Sequence, residues 1–126
     1  MLVNCIFVGA GGMLGSVARY LLGLIPVKGA GGFPVTTLLI NVLGALLIGA
    51  LTAWAQRCGA VSAHTMLLLK VGVCGGFTTF STFALETEQL LQAGRGGAAA
   101  LYAALSVGLC VLAVFAGQGL VRPYSG

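Results

Sequence analysis

The chain has 126 residues, 59% of them apolar and only 6% charged, and its mean hydropathy is +1.08, which leaves too little polar surface for a soluble domain and places the chain in a bilayer. Six basic residues stand against two acidic ones, for a formal net charge of +4. The basic residues occur singly near helix ends, which excludes the basic patch of a nucleic-acid binder.

A helical span needs about 20 mainly apolar residues. Four stretches qualify, at about 2–25, 35–56, 62–89 and 97–121. The expected fold is an all-α membrane protein, a single four-helix transmembrane domain over residues 1–126 with three short loops. The first span lacks the basic leader of a secretory signal and is long enough to cross, so it is expected to be retained. Its run from Gly9 to Gly15 approaches a dinucleotide-binding pattern, but Ala10 stands where glycine is required, and the run reads as helix packing. The loop that follows holds Pro26, Lys28, Gly29, Gly31, Gly32 and Pro34.

In the second span Thr37 and Asn41 are four apart and share a face. Arg57, Cys58 and Gly59 mark the second loop, and the single histidine, His64, reads as an interfacial residue at the start of the third span. That span contains the most informative stretch, Gly75 through Phe83, where a glycine pair meets a dense cluster of hydroxyls and phenyl rings. Backbone groups that leave helical hydrogen bonds inside hydrocarbon need protein, water or an ion to receive them. The third helix is therefore expected to break in the middle, at a site. After Gly94, Arg95 and Gly96, the fourth span aligns Tyr102, Ser106 and Cys110 at intervals of four. Cys5, Cys58, Cys74 and Cys110 have no CxxC spacing, so neither a disulfide framework nor a zinc site is expected.

Lysine and arginine normally choose which side of the membrane a loop occupies. Here Arg57 and Arg122, with Lys70 nearest them, balance Lys28 and Arg95, with Arg19 nearest those. Such balance fits a chain that inserts in both orientations and pairs as an antiparallel homodimer; it equally fits a small, charge-poor protein. For a dimer, the small pairs Gly11 and Gly15, Ala45 and Gly49, and Gly72 and Gly76 are expected at the subunit interface.

The polar face is rich in neutral donors, namely the Asn41 amide, the serine and threonine hydroxyls and the Tyr102 phenol, and such donors suit an anion. Phe80 and Phe83, three apart, present positive ring edges that meet a small anion without holding it tightly. Weak repeated sites permit passage. Each member also has a packing explanation: Asn41 bonding a neighbouring helix, the hydroxyls bonding their own helix, the rings facing lipid. Arg19 and Glu86 fall near one membrane face, where a structural ion pair or a snorkelling arginine is expected ahead of direct ion handling, with Glu88 solvated.

These residues carry a resemblance. The chain resembles the Fluc, or CrcB-type, fluoride ion channels along essentially its whole length. The resemblance rests on the glycine-rich first helix ending in Gly15, Arg19 and Tyr20, on Pro34, Thr37, Leu38, Asn41 and Gly44 of the second, and on Gly75 through Phe83 to Glu86 of the third. It implies a dual-topology homodimer in the plasma (inner) membrane, with two antiparallel pores that passively export fluoride. Phe80, Phe83 and Asn41 would line the fluoride path, and Thr82, Tyr102 and Ser106 would form its polar track. Backbone carbonyls of Gly75 and Thr78 would hold a structural sodium ion at the dimer interface. The chain departs from the family pattern at Cys110, where the track commonly carries serine, at Thr36 and at Phe77. The rival reading is a proton-coupled exporter of the small multidrug resistance type, which requires a membrane carboxylate that the first helix lacks. A further alternative is a noncatalytic assembly subunit in which the same features only pack helices.

Overall fold

Because hydrocarbon offers the backbone no hydrogen-bond partner, each span must satisfy its own amides, and all four spans are helical. A computed structural model of the chain describes residues 1–25, 27 and 29–122; Pro26, Lys28 and residues 123–126 lie outside the described residues, and with Lys28 one of the balancing charges. Helix α1 runs Leu2–Gly23, and a short 3-10 turn at Ala30–Gly32 leads to α2, Val35–Cys58. The third span is composite. It begins as α3, Ala63–Met66, continues as π-helical turns over Leu67–Cys74 and closes with the single turn α4, Gly75–Phe77. After a break at Thr78 and Thr79, α5 spans Phe80–Gln92, and α6 completes the chain at Gly96–Val121.

Two helix pairs build the domain: α1 packs on the first half of the third span, and α2 packs on α6. Both contacts depend on missing side chains. A Cβ on Gly72 would lie 2.7 Å from Gly11 Cα, and one on Gly76 would lie 3.0 Å from Gly12 Cα. On the other pair, a Cβ on Gly117 would lie 2.8 Å from Ala50 N, and one on Gly49 would run into the Val114 carbonyl. This corrects the assignment of the glycines of these pairs to a subunit interface, whereas Ala45 lines a groove. Gly11, Gly15, Gly49, Gly72 and Gly76 are used within one chain, because close backbone approach is how helices gain dispersion energy where no hydrophobic drive exists.

The buried centre lies where α5 meets α6, with Leu38, Leu90, Ala99 and Tyr102 packed against Phe33, Val42 and Phe83. At the opposite membrane face Arg57 donates to the Val121 carbonyl at 3.1 Å and Arg122 donates to Gln56 Oε1 at 3.0 Å. Each guanidinium sits beside a helix C-terminus, where a cation is favoured. His64, near the same end, stacks on Phe7 with centroids 4.8 Å apart.

Gly11→Ala is expected to lower stability by about 1–3 kcal/mol through overpacking, with unfolding in mixed micelles as the measurement. Gly9→Ala, on the same helix with nothing within 4 Å of its added Cβ, is expected to be neutral or slightly stabilising.

Candidate functional site

The break in the third span is built from three consecutive choices of residue. Thr78 leaves helical geometry at φ −84°, ψ 157°, and Thr79 follows in extended form at φ −148°, ψ 115°. Thr79 then caps the new helix: its Oγ1 accepts from the Thr82 N–H at 3.2 Å and donates to Thr82 Oγ1 at 3.0 Å. From α2, Asn41 meets the interrupted backbone with both ends of its amide. The Thr79 N–H donates to Asn41 Oδ1 at 2.8 Å, and Asn41 Nδ2 donates to the Thr79 carbonyl at 3.1 Å. Gly44, almost one turn farther along α2, makes room for the break, since a Cβ there would overlap Thr78 Cγ2 and lie 3.3 Å from Phe77 Cδ1.

This exchange of partners has a chemical consequence. In a continuous α-helix the Thr79 N–H would serve the Gly75 carbonyl and the Thr82 N–H the Thr78 carbonyl. Here the first goes to Asn41 and the second to the Thr79 cap, so both carbonyls lose their helical donors. The Thr78 side chain does not compete for them, because its hydroxyl and its own N–H both donate to the Cys74 carbonyl, at 3.0 and 3.1 Å. Two released backbone oxygens suit a hard cation. No group of three or more His, Cys, Asp or Glu side chains that could hold a metal occurs among the described residues.

Gly75 and Thr78 lie on one groove of about 670 Å³ together with Asn41, Phe80, Phe83 and Ser106. Phe80 projects from this face at 79% exposure, and its ring stands 5.4 Å from that of Phe83. Phe83 in turn meets Tyr102 edge-on at 5.0 Å. Ser106 is only 9% exposed, and its Oγ has no hydrogen-bond partner among the described residues. Among the described residues it is the one buried side-chain oxygen or nitrogen without a partner.

The other expected site residues sit behind the groove. Thr82, Arg19 and Glu86 line a cavity of about 430 Å³ that also takes in Thr37 and Thr79. The ion pair expected between Arg19 and Glu86 is replaced by other bonds. Arg19 Nε donates to the Gly76 carbonyl at 3.1 Å, on the edge of the break. Glu86 instead accepts the Thr37 hydroxyl at 2.7 Å and the phenol of the fully buried Tyr102 at 2.7 Å. Two charge-assisted bonds satisfy the carboxylate without a cation. Sequence reasoning missed this pair of bonds; it had Asn41 bonding a neighbouring helix as one reading, but not that both ends of its amide would meet the Thr79 backbone. The signal was present: Thr37 and Asn41 on α2 face Glu86 and Thr79 on the third span in reverse order, as antiparallel helices require.

Two substitutions distinguish these polar groups. Asn41→Leu is expected to destabilise the fold by about 1–2 kcal/mol, because it strands both backbone groups of Thr79. Ser106→Ala removes a donor without a partner among the described residues, so unfolding measurements are expected to find it neutral or stabilising.

Comparison with known proteins fits this arrangement. Residues 6–118 match the family model described as CrcB-like protein, Camphor Resistance (CrcB). A protein of Caulobacter vibrioides named fluoride-specific ion channel FluC is 46% identical over 119 residues, covering 93% of this chain and 94% of its own length. One of the same name from Rhizobium meliloti is 47% identical over 120 residues, covering 94% and 96%, and one from Ruminiclostridium cellulolyticum is 38% identical over 122 residues, covering 96% and 94%. With a family match over nearly the whole chain and relatives this close at both ends, the chain belongs to the CrcB-like family.

Proposed function

We propose that this chain is a passive, fluoride-selective ion channel, and not an enzyme, through which fluoride leaves the cytoplasm down its electrochemical gradient. The relatives named fluoride-specific ion channels support the ion, and the groove that joins Asn41, Phe80, Phe83 and the unpartnered Ser106 hydroxyl carries the reading. An anion entering it meets ring edges and neutral donors, which favour it without trapping it. Fluoride enters acidified cells as neutral hydrofluoric acid and is held inside as the anion, so an open selective path is enough to remove it. Family membership sets aside the proton-coupled exporter of the small multidrug resistance type.

The working unit in this reading is an antiparallel, dual-topology homodimer in the plasma (inner) membrane, with two pores. A second copy would cover the outward-facing Phe80 and close the groove, which is open along one side in the single chain. The near balance of basic residues between the two faces supports insertion both ways. The Gly75 and Thr78 carbonyls of two such copies would together offer four oxygens to a structural sodium ion. Their loss of helical donors fits that role, and the bound cation would supply a fixed positive charge that eases anion entry into the low-dielectric membrane.

The test is fluoride efflux from liposomes containing the purified chain, read with an ion-selective electrode beside chloride and protein-free vesicles. Rapid fluoride loss without comparable chloride loss is expected, and Phe80→Ile and Phe83→Ile are each expected to suppress it while leaving the dimer intact. Equal fluoride and chloride loss, or no fluoride loss from a folded dimer in sodium, would overturn the reading.

A further inference from the structure

Arg95, between α5 and α6, reaches across to the first loop. Its backbone is held at both ends, the N–H donating to the Leu90 carbonyl at 2.9 Å and the carbonyl accepting from Ala99 at 3.0 Å. Its guanidinium lies over Gly31, where a Cβ would overlap both Nη1 and Nη2. Gly31 also turns the loop at φ 67°, a conformation that suits a residue without a side chain. There Arg95 lines a cavity of about 480 Å³ with Phe33, Thr36, Thr37, Glu86 and Gln89. Thr36, Thr37 and Glu86 also line the 430 Å³ cavity beside Arg19, and Thr79 is common to that cavity and the groove. Three spaces thus adjoin in series, from the first loop to the break in the third span.

We propose that Arg95 is an entry residue for fluoride: at the outer end of this series its guanidinium offsets the Glu86 carboxylate and raises the anion concentration where the path begins. This rests on the groove being the fluoride path. Among the described residues, Arg95 and Glu86 are the only charged side chains on the first cavity. With the arginine removed, an incoming anion would face a carboxylate alone. Arg95 is exposed, so its attraction acts through water and is screened by salt, over a Debye length of about 30 Å at 0.01 M and about 3 Å at 1 M. Recruitment of this kind needs the positive charge and tolerates a change of shape. Packing over Gly31 needs the flat guanidinium and is indifferent to salt, so the two roles are separable.

The parent chain and its Arg95→Lys, Arg95→Gln and Arg95→Glu variants are compared in liposomes. Initial fluoride efflux at low fluoride is measured in about 0.01 M and in about 1 M sodium gluconate, present on both sides of the membrane. Rates are counted per folded dimer, established by size-exclusion chromatography, so that a variant that folds poorly is not mistaken for a slow one. In low salt Arg95→Gln is expected to lower the rate about threefold and Arg95→Glu about tenfold, the effect of one and two charge units acting through water at several ångströms. Arg95→Lys is expected to keep the parent rate, and in high salt all four rates are expected to converge. A loss in Arg95→Lys as large as that in Arg95→Gln, or differences that persist in high salt, would assign Arg95 to packing alone. Equal rates in all four proteins in low salt would deny it any role. Each of these results overturns this inference and leaves the channel reading in place, because the parent still conducts. A folded parent without fluoride flux would overturn both.

Discussion

A helix interrupted in mid-membrane leaves backbone groups that lipid cannot satisfy, and the structure depends on how one amide deals with this. Asn41 matches the donor and acceptor of Thr79 with its own acceptor and donor, and only asparagine and glutamine carry these as the separate C=O and N–H groups of one carboxamide. The bonds tie α2 to the third span at the point where the latter would otherwise be weakest. They also release one backbone oxygen, because the N–H spent on Asn41 is the one that the Gly75 carbonyl has lost.

Around that clasp the chain uses small residues where other proteins use large ones. Gly11 against Gly72 and Gly117 against α2 let backbones approach, while Gly44 admits the methyl group of Thr78. Polar groups are few and nearly all are spoken for: Arg19 closes on the Gly76 carbonyl, and Glu86 holds Thr37 and Tyr102. Against this background the Ser106 hydroxyl stands out as the one buried side-chain oxygen or nitrogen without a partner among the described residues.

The four spans were legible from the sequence because length and apolarity suffice to define a helix in hydrocarbon, and the break was legible because Gly75, Gly76 and the hydroxyl cluster conflict with that setting. What could not be read were the facts that depend on which helices are neighbours. A small pair such as Gly11 and Gly15 fits equally well against another helix of the same chain or of a second one, and only the packed structure assigns it to the third span. Arg19 and Glu86 share a membrane depth, which suggested a pair, but depth does not specify direction, and each found nearer partners. The π-helical winding of Leu67–Cys74 was hidden for a different reason. It is a backbone choice without a residue signature, although Gly72 and Gly76 still both face α1.

The central claim is that the Asn41 clasp and the Thr79 cap together release the Gly75 and Thr78 carbonyls for a cation that serves an anion path. Isotope-edited infrared spectroscopy of these two carbonyls in the reconstituted protein tests it most directly, with sodium exchanged for N-methylglucamine. Both carbonyl bands are expected to shift with sodium in the parent chain and to lose that response in Asn41→Leu. A parent chain that conducts fluoride while neither carbonyl responds to sodium would contradict the account.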